Sequence, residues 1–188
     1  ENLITSDKST TLEQAKNRFG NKVIPIQYPY NSGEKCKSII DVLRRTMYVF
    51  PENGGKPEKM PIPTSELEKA NALHNALVEA AAENEEGLME KYFEKGNLDE
   101  EELAKGLTIA LAHQHISPVF CASGLKDMGS GRIMGFIDDI APSPADRPAK
   151  KLENGAELKC DASDKTTIFI YKTLSEPQVG MVSYFKVL

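Results

Sequence analysis

Leu67, Ala70, Leu73, Leu77 and Ala81 recur at intervals of three and four residues, the spacing that puts apolar side chains on one face of an α-helix. Ser65 and Glu68 stand at the positions of a capping box, so the helix is expected to start there. Two further helices follow. Leu88, Met89, Tyr92 and Phe93 mark the first, which Gly96 ends. The second has Asp99 as N-cap, Glu102 at its third position, a staple between Leu98 and Leu103, and a buried row of Leu103, Leu107 and Leu111.

Upstream, residues 10–19 form a short helix with Thr10 and Glu13 as a capping box and Gly20 as its stop. Residues 23–29, "VIPIQYP", read as a strand, at an edge because Pro25 removes a ladder donor. The run "KSIIDVLRRTMYVF" suits either a helix or strands. Its β-branched and aromatic content, and the turn signals of "PENGGKP" after it, favour strands. Residues 116–121 make a strand that enters Ala122-Ser123-Gly124. A helix then covers 131–140, with Ile133, Ile137 and Ile140 facing inward. "APSPADRPAKK" is a proline-punctuated linker. Beyond it the helical period vanishes and two strand runs, 167–174 and 179–187, flank "SEPQ". Two strands do not make a stable unit alone. The chain therefore reads as ending inside a β domain, and its apolar hairpin is expected to self-associate.

Charge changes this picture in one place. Of the 188 residues, those from Thr64 to Lys105 include twelve acidic and four basic side chains, a balance of −8 against −5 for the whole chain. An acidic helical surface over 65–102 suits a basic protein partner as well as it suits a plain solvated face. The net negative charge argues against a protein that wraps nucleic acid. Three widely spaced cysteines, Cys36, Cys121 and Cys160, form no disulfide framework and no zinc spacing. They point to a reducing, cytoplasmic compartment. No apolar run is long enough for a membrane span.

Candidate chemistry is sparse. His113 and His115 form an H-x-H pair without acidic or thiol ligands at the right spacing. Asp138 and Asp139 are adjacent on a helix and so do not face each other. Cys121 beside a small-residue loop could be a nucleophile, but it reads better as a small buried residue. No G-x-x-x-x-G-K-[ST] phosphate loop is present, nor a G-x-G-x-x-G after a strand. What survives is Ala122-Ser123-Gly124, where a strand, a small-residue turn and a helix let backbone N–H groups approach a planar ligand.

Several segments resemble translation elongation factor G. "PVFCASGLKDMG" resembles the segment that closes the GTP-binding domain of that family, usually Pro-Val-x-Cys-Gly-Ser-Ala-Phe-Lys-Asn-x-Gly. "IDDIAPSPADRP" resembles the following helix and linker. "IFIYKTLSEPQVGMVSYFKV" resembles the first strands of the second domain. "RFGNKVIPIQYP", "IIDVLRRTMYVF" and "ENEEGLMEKYFE" resemble the insert of the GTPase domain. The motifs agree in order and spacing from about Thr11 to Leu188.

The resemblance implies an α+β or α/β fold: the C-terminal part of a P-loop GTPase domain with its α/β insert, then the first strands of a β-barrel. The implied divisions are 1–112 for the insert and its flanking segment, 113–141 for the closing strand-loop-helix, 142–150 for the linker and 151–188 for the barrel start. In the family the phosphate loop, the magnesium-binding segments and the Asn-Lys-x-Asp guanine motif precede the region that Glu1 begins. The intact protein would bind GTP and Mg²⁺, hydrolyse GTP and promote ribosomal translocation in the cytoplasm. This piece is expected to hold neither and to be inactive alone. Ser123, Gly124 and Leu125 would face the guanine base; Gly124 replaces the usual alanine and Leu125 the usual aromatic. The implied partners are the ribosome and its stalk protein, met by the acidic helices over 65–102. A ribosome-protection or release-factor-like paralogue shares the architecture, and a non-enzymatic protein-binding domain is the reading from a different class.

Overall fold

The computed structural model describes residues 8–31, 33, 36–52, 55–146 and 148–187. The expected cap at Thr10 and the turn residues Ser32, Asn53 and Gly54 lie outside the described side chains and residues. Contacts divide the chain into two compact units, Glu1–Pro142 and Ser143–Leu188.

The first unit opens with α1 (Lys8–Phe19), and Gly20 follows it with φ +79°. The stretch read as one strand is two: β1 (Val23–Pro25) and β2 (Gln27–Pro29), with Ile26 between them. Ile26 joins two sheets. Its amide donates to the Val119 carbonyl at 2.8 Å, and its carbonyl accepts from the Val42 amide at 2.9 Å. β1 pairs in parallel with β6 (Ser117–Val119). β2 begins an antiparallel sheet that continues through β3 (Ser38–Asp41), β4 (Thr46–Val49) and β5 (Glu58–Met60). The ambiguous run is therefore a β-hairpin, as its composition indicates. β5 was not foreseen, being three exposed residues bracketed by prolines.

Both faces of this sheet are covered, which explains why every residue of β3 is buried. Ile40 and Met47 oppose each other and pack on Ala70. Ile39 and Tyr48 form the next pair and point the other way, toward Phe50, Met128 and Cys121. That alternation is the period-two rule of a strand.

Helices α2 (Thr64–Ala82), α3 (Glu86–Lys95) and α4 (Glu100–Ala112) form the other wall. α4 carries the expected capping box: the Glu102 amide donates to Asp99 Oδ1 at 2.8 Å, and the Asp99 amide donates to Glu102 Oε2 at 3.0 Å. Leu98 and Leu103 are both buried in one cluster, as the staple requires. α3 ends at Gly96 in the left-handed region. The box expected at Ser65 and Glu68 is not made. Pro63, extended at φ −57° and ψ 144°, is the N-cap, so the helix has already begun at Thr64 and Ser65 lies inside its first turn. Leu67 is correspondingly exposed, whereas Ala70, Leu77 and Ala81 are buried. α4 lies close against α2 at Gly106, where a Cβ would stand 2.6 Å from the Ala81 carbonyl oxygen.

α5 (Ser130–Ile140) closes the unit. Its inward row is Phe136 and Ile140, not Ile133, Ile137 and Ile140; Ile137 is half exposed. Phe136 packs edge-on against Phe120, centroids 4.9 Å apart. The phase differs because Arg132, one turn before Phe136, also faces inward, toward Asp41.

In the second unit a single 3-10 turn, Pro144–Asp146, precedes a two-residue pair of β7 (Lys150–Lys151) with β8 (Glu157–Leu158). β9 (Ile168–Glu176) and β10 (Gly180–Val187) pair antiparallel with an irregularity between Tyr184 and Phe185. Ile168, Phe169, Ile170, Met181, Phe185 and Val187 are all exposed.

Candidate functional site

The parallel pair delivers the chain to the turn singled out in the sequence. After β6, Ser123 and Met128 form a bridge: the Ser123 amide donates to the Met128 carbonyl at 2.9 Å and the Met128 amide returns to Ser123 at 3.0 Å. Between them the Asp127 amide reaches the Gly124 carbonyl at 3.3 Å. Met128 is buried among Cys36, Ile39, Tyr48 and Phe50, so the turn is tied to the antiparallel sheet from beneath. Above, the loop stands clear. Leu125 is 83% exposed and Gly124 is exposed. Among the described residues the amides of Gly124 and Leu125 donate to no other backbone group, so both are available to an acceptor.

The two glycines of this segment differ in their reasons. Gly129 has φ +79°, and a Cβ on it would press inside van der Waals contact of the Cys121 carbonyl oxygen. Only glycine meets both demands. Gly124 has no such φ and nothing within 4 Å of a Cβ; the fold does not require a glycine there. Ser130 Oγ donates to Asp127 Oδ1 at 3.2 Å and fixes the turn's exit into α5. A depression of about 270 Å³ beside this exit is lined by Phe50, Pro57, Asp127, Gly129, Ser130 and Arg132; Ser123, Gly124 and Leu125 do not line it.

The other candidates fall elsewhere. His113 and His115 are exposed, their ring centroids 5.5 Å apart, and His115 Nδ1 lies 2.6 Å from Asn84 Oδ1. Among the described residues no group of three His, Cys, Asp or Glu is placed to hold a metal ion. Asp139 is occupied by Arg44 at 2.9 Å. Cys121 is half-buried against the sheet cluster.

The acidic surface has an inner and an outer part. Glu85 pairs with Lys105 at 2.8 Å, Glu102 with Lys91, and Glu100 with Arg44. Glu66 accepts from the Tyr28 hydroxyl at 3.1 Å, while burial and that carboxylate push the phenol above its usual range. Glu79, Glu83, Glu86, Glu90 and Glu94 are exposed on α2, α3 and the link between them.

A cluster that sequence reasoning missed lies under α5. Fully buried Asp41 accepts from Arg132 Nε at 3.0 Å, from Gln27 Nε2 at 3.2 Å and from the Arg44 amide at 2.8 Å. Its signal was present: one acid in the apolar run "SIID".

The fold and this site define a mixed α/β chain in which a parallel strand pair and an antiparallel sheet both pack on α2. No protein-family profile matches it. Among solved structures it is similar to a protein of Thermus thermophilus known from its crystal structure, at 25% sequence identity and a TM-score of 0.74. The match covers 98% of this chain and 26% of that one, so the chain spans only a minor part of the length of the protein it resembles. The likeness shows a related fold over nearly all of the chain. No described helix is long and apolar enough to cross a membrane.

Proposed function

We propose that this chain is a segment of an elongation factor G-like translational GTPase, comprising the insert and the closing base-contacting turn of its GTPase domain and the first strands of a barrel. The observation that carries the reading is the turn itself. It follows a parallel strand and opens a helix, and its Gly124 and Leu125 amides have no backbone acceptor among the described residues. Amides so placed suit the carbonyl oxygen of guanine, an acceptor where adenine carries an amino donor. The agreement of six sequence segments in order supports the same reading.

Under this reading GTP hydrolysis and ribosomal translocation belong to the longer protein. Its phosphate- and Mg²⁺-binding segments lie outside the chain, and phosphate and metal contacts dominate recognition in such enzymes. The 188-residue chain is therefore expected neither to hydrolyse GTP nor to bind it tightly. The exposed acids on α2 and α3 are the face offered to the ribosomal stalk, in a weak contact assisted by charge.

The test uses the longer protein. Fluorescent GDP should bind and be displaced by GTP but not by ATP. Gly124→Pro, which deletes one amide of the turn, should weaken binding while the far-UV spectrum is kept. Equal displacement by ATP, or an unaffected Gly124→Pro variant, removes the base-contacting role.

A further inference from the structure

Helix α5 carries its charges against its own dipole. Arg132 stands in the first turn and Asp139 in the last, where a helix favours the opposite signs. Both lie on the side of Phe136 and Ile140, which enter the core. The β3–β4 hairpin supplies a partner for each. Arg132 Nε donates to Asp41 Oδ2 at 3.0 Å, and Arg44 Nη2 donates to Asp139 Oδ2 at 2.9 Å.

The two pairs differ in their surroundings. Arg44 and Asp139 are a third and about half exposed, at 33% and 48%. Asp41 is wholly buried and Arg132 mostly so, with its guanidinium 5.7 Å from the centroid of the Tyr48 ring. Gln27 completes the cluster, and among the described residues its buried Oε1 has no hydrogen-bond partner. Taking a charged pair out of water costs stability. A simple apolar contact between β3 and α5 would avoid that cost, whereas a hydrogen-bonded ion pair also fixes a direction.

What it places follows from chain order. Arg132 is three residues after Gly129, whose backbone admits no side chain, and Gly129 directly follows the Ser123–Met128 bridge. One turn of helix is stiff. Fixing Arg132 to the sheet therefore fixes the end of α5 from which the turn departs. We infer that Asp41 and Arg132 are positioning residues for the turn over 123–128, holding its outward amides in a single orientation toward a ligand. That the ligand is guanine rests on the function proposed above; the positioning itself does not.

Amide exchange measured by NMR on the 188-residue chain tests this. The variants are Arg132→Gln, Arg132→Lys, the double variant Asp41→Asn/Arg132→Gln, and Arg44→Gln as the control at the far end of α5. Arg132→Gln and the double variant should speed exchange at Ser123 and Met128 at least ten-fold more than at Ile39 and Ile40. Arg132→Lys should restore most of the protection, and Arg44→Gln should leave the turn within two-fold. Turn and sheet amides accelerating by one common factor would overturn the inference, as would Arg44→Gln matching Arg132→Gln. Loss of the fold in every Asp41 and Arg132 variant would also overturn it, by showing the pair to be a stability element. In the longer protein the double variant should lose at least ten-fold in preference for GDP over ADP. If the unaltered longer protein binds no guanine nucleotide, the guanine reading fails while the exchange result still decides the positioning.

Discussion

Gly124 and Gly129 bound the same turn, and alanine should act on them with opposite sign. At Gly129 alanine must hold φ +79°, which costs an L-residue about 1–2 kcal/mol. Its Cβ also meets the Cys121 carbonyl oxygen and lies within 3.3 Å of Ala122 Cβ. Both neighbours belong to the strand exit and cannot swing away, so an overpacking cost of about 1–3 kcal/mol is added. The reduced freedom of the unfolded chain returns about 0.4–1 kcal/mol. Gly129→Ala should therefore destabilise by about 1–5 kcal/mol. At Gly124 the Cβ meets nothing within 4 Å and the backbone is not left-handed. Only the unfolded-state term remains, so Gly124→Ala should stabilise by about 0.4–1 kcal/mol. Helices α1–α5 all lie in the first unit, so ellipticity at 222 nm follows that unit during urea unfolding. With a slope of about 1–3 kcal/mol per molar urea, the two midpoints should be separated by about 0.5 M or more. Equal midpoints, or a Gly124→Ala variant less stable than the parent, would refute the reasoning.

Other outcomes follow from the same geometry. Asp99→Ala removes the cap of α4 and should cost about 1 kcal/mol in the same urea experiment, with no loss if the observed box is incidental. Burial holds the His74 imidazole below its ordinary value, although its Nδ1 lies 3.0 Å from the Val42 carbonyl. The unfolded chain then takes up a proton more readily than the folded one. The stability His74 contributes is complete above about pH 6.5 and falls as the pH drops toward the lowered folded value. His74→Gln should flatten urea midpoints between about pH 7 and pH 5, and an unchanged slope would exclude His74 as the source. The apolar side chains exposed along β9 and β10 should drive association of the chain with itself; light scattering should show it lessened by Ile170→Thr with Phe185→Thr, and a monomeric parent at high concentration would contradict this. Reversing Glu83, Glu86 and Glu90 to Lys in the longer protein should slow ribosome association at low salt, the difference shrinking as salt screens charges beyond ~8 Å.

What the sequence disclosed, and what it hid, divides along physical lines. Local signals were legible. Asp99 with Glu102, Gly96 after α3, and the β-branched crowd of 37–50 each act within a few residues, and each element formed as expected. Misreadings arose where a distant partner or a neighbouring constraint decided. The phase of α5 turns on Arg132, whose place inside the protein makes sense only once Asp41, 91 residues earlier, is beside it. Pro63 began α2 before Ser65 could cap it. β5 exists because β4 offers it an edge, not because Glu58, Lys59 and Met60 favour a strand. Gly106 in α4 is the point where α2 approaches too closely for any side chain, a constraint that no local signal in α4 announces. At the site, the position of the turn could be read from its small residues. Its tether through Met128 to the sheet could not, since a methionine has no sequence signature for that contact.

The central claim is that the turn over 123–128 presents its outward amides to a guanine base. The direct measurement is amide chemical-shift mapping of the longer protein, isotopically labelled, titrated with GDP and separately with ADP. The account predicts saturable shifts at the Gly124 and Leu125 amides with GDP, absent with ADP and much smaller in the Asp41→Asn/Arg132→Gln variant. GDP binding that leaves both amides unmoved, or equal shifts with ADP, would contradict it.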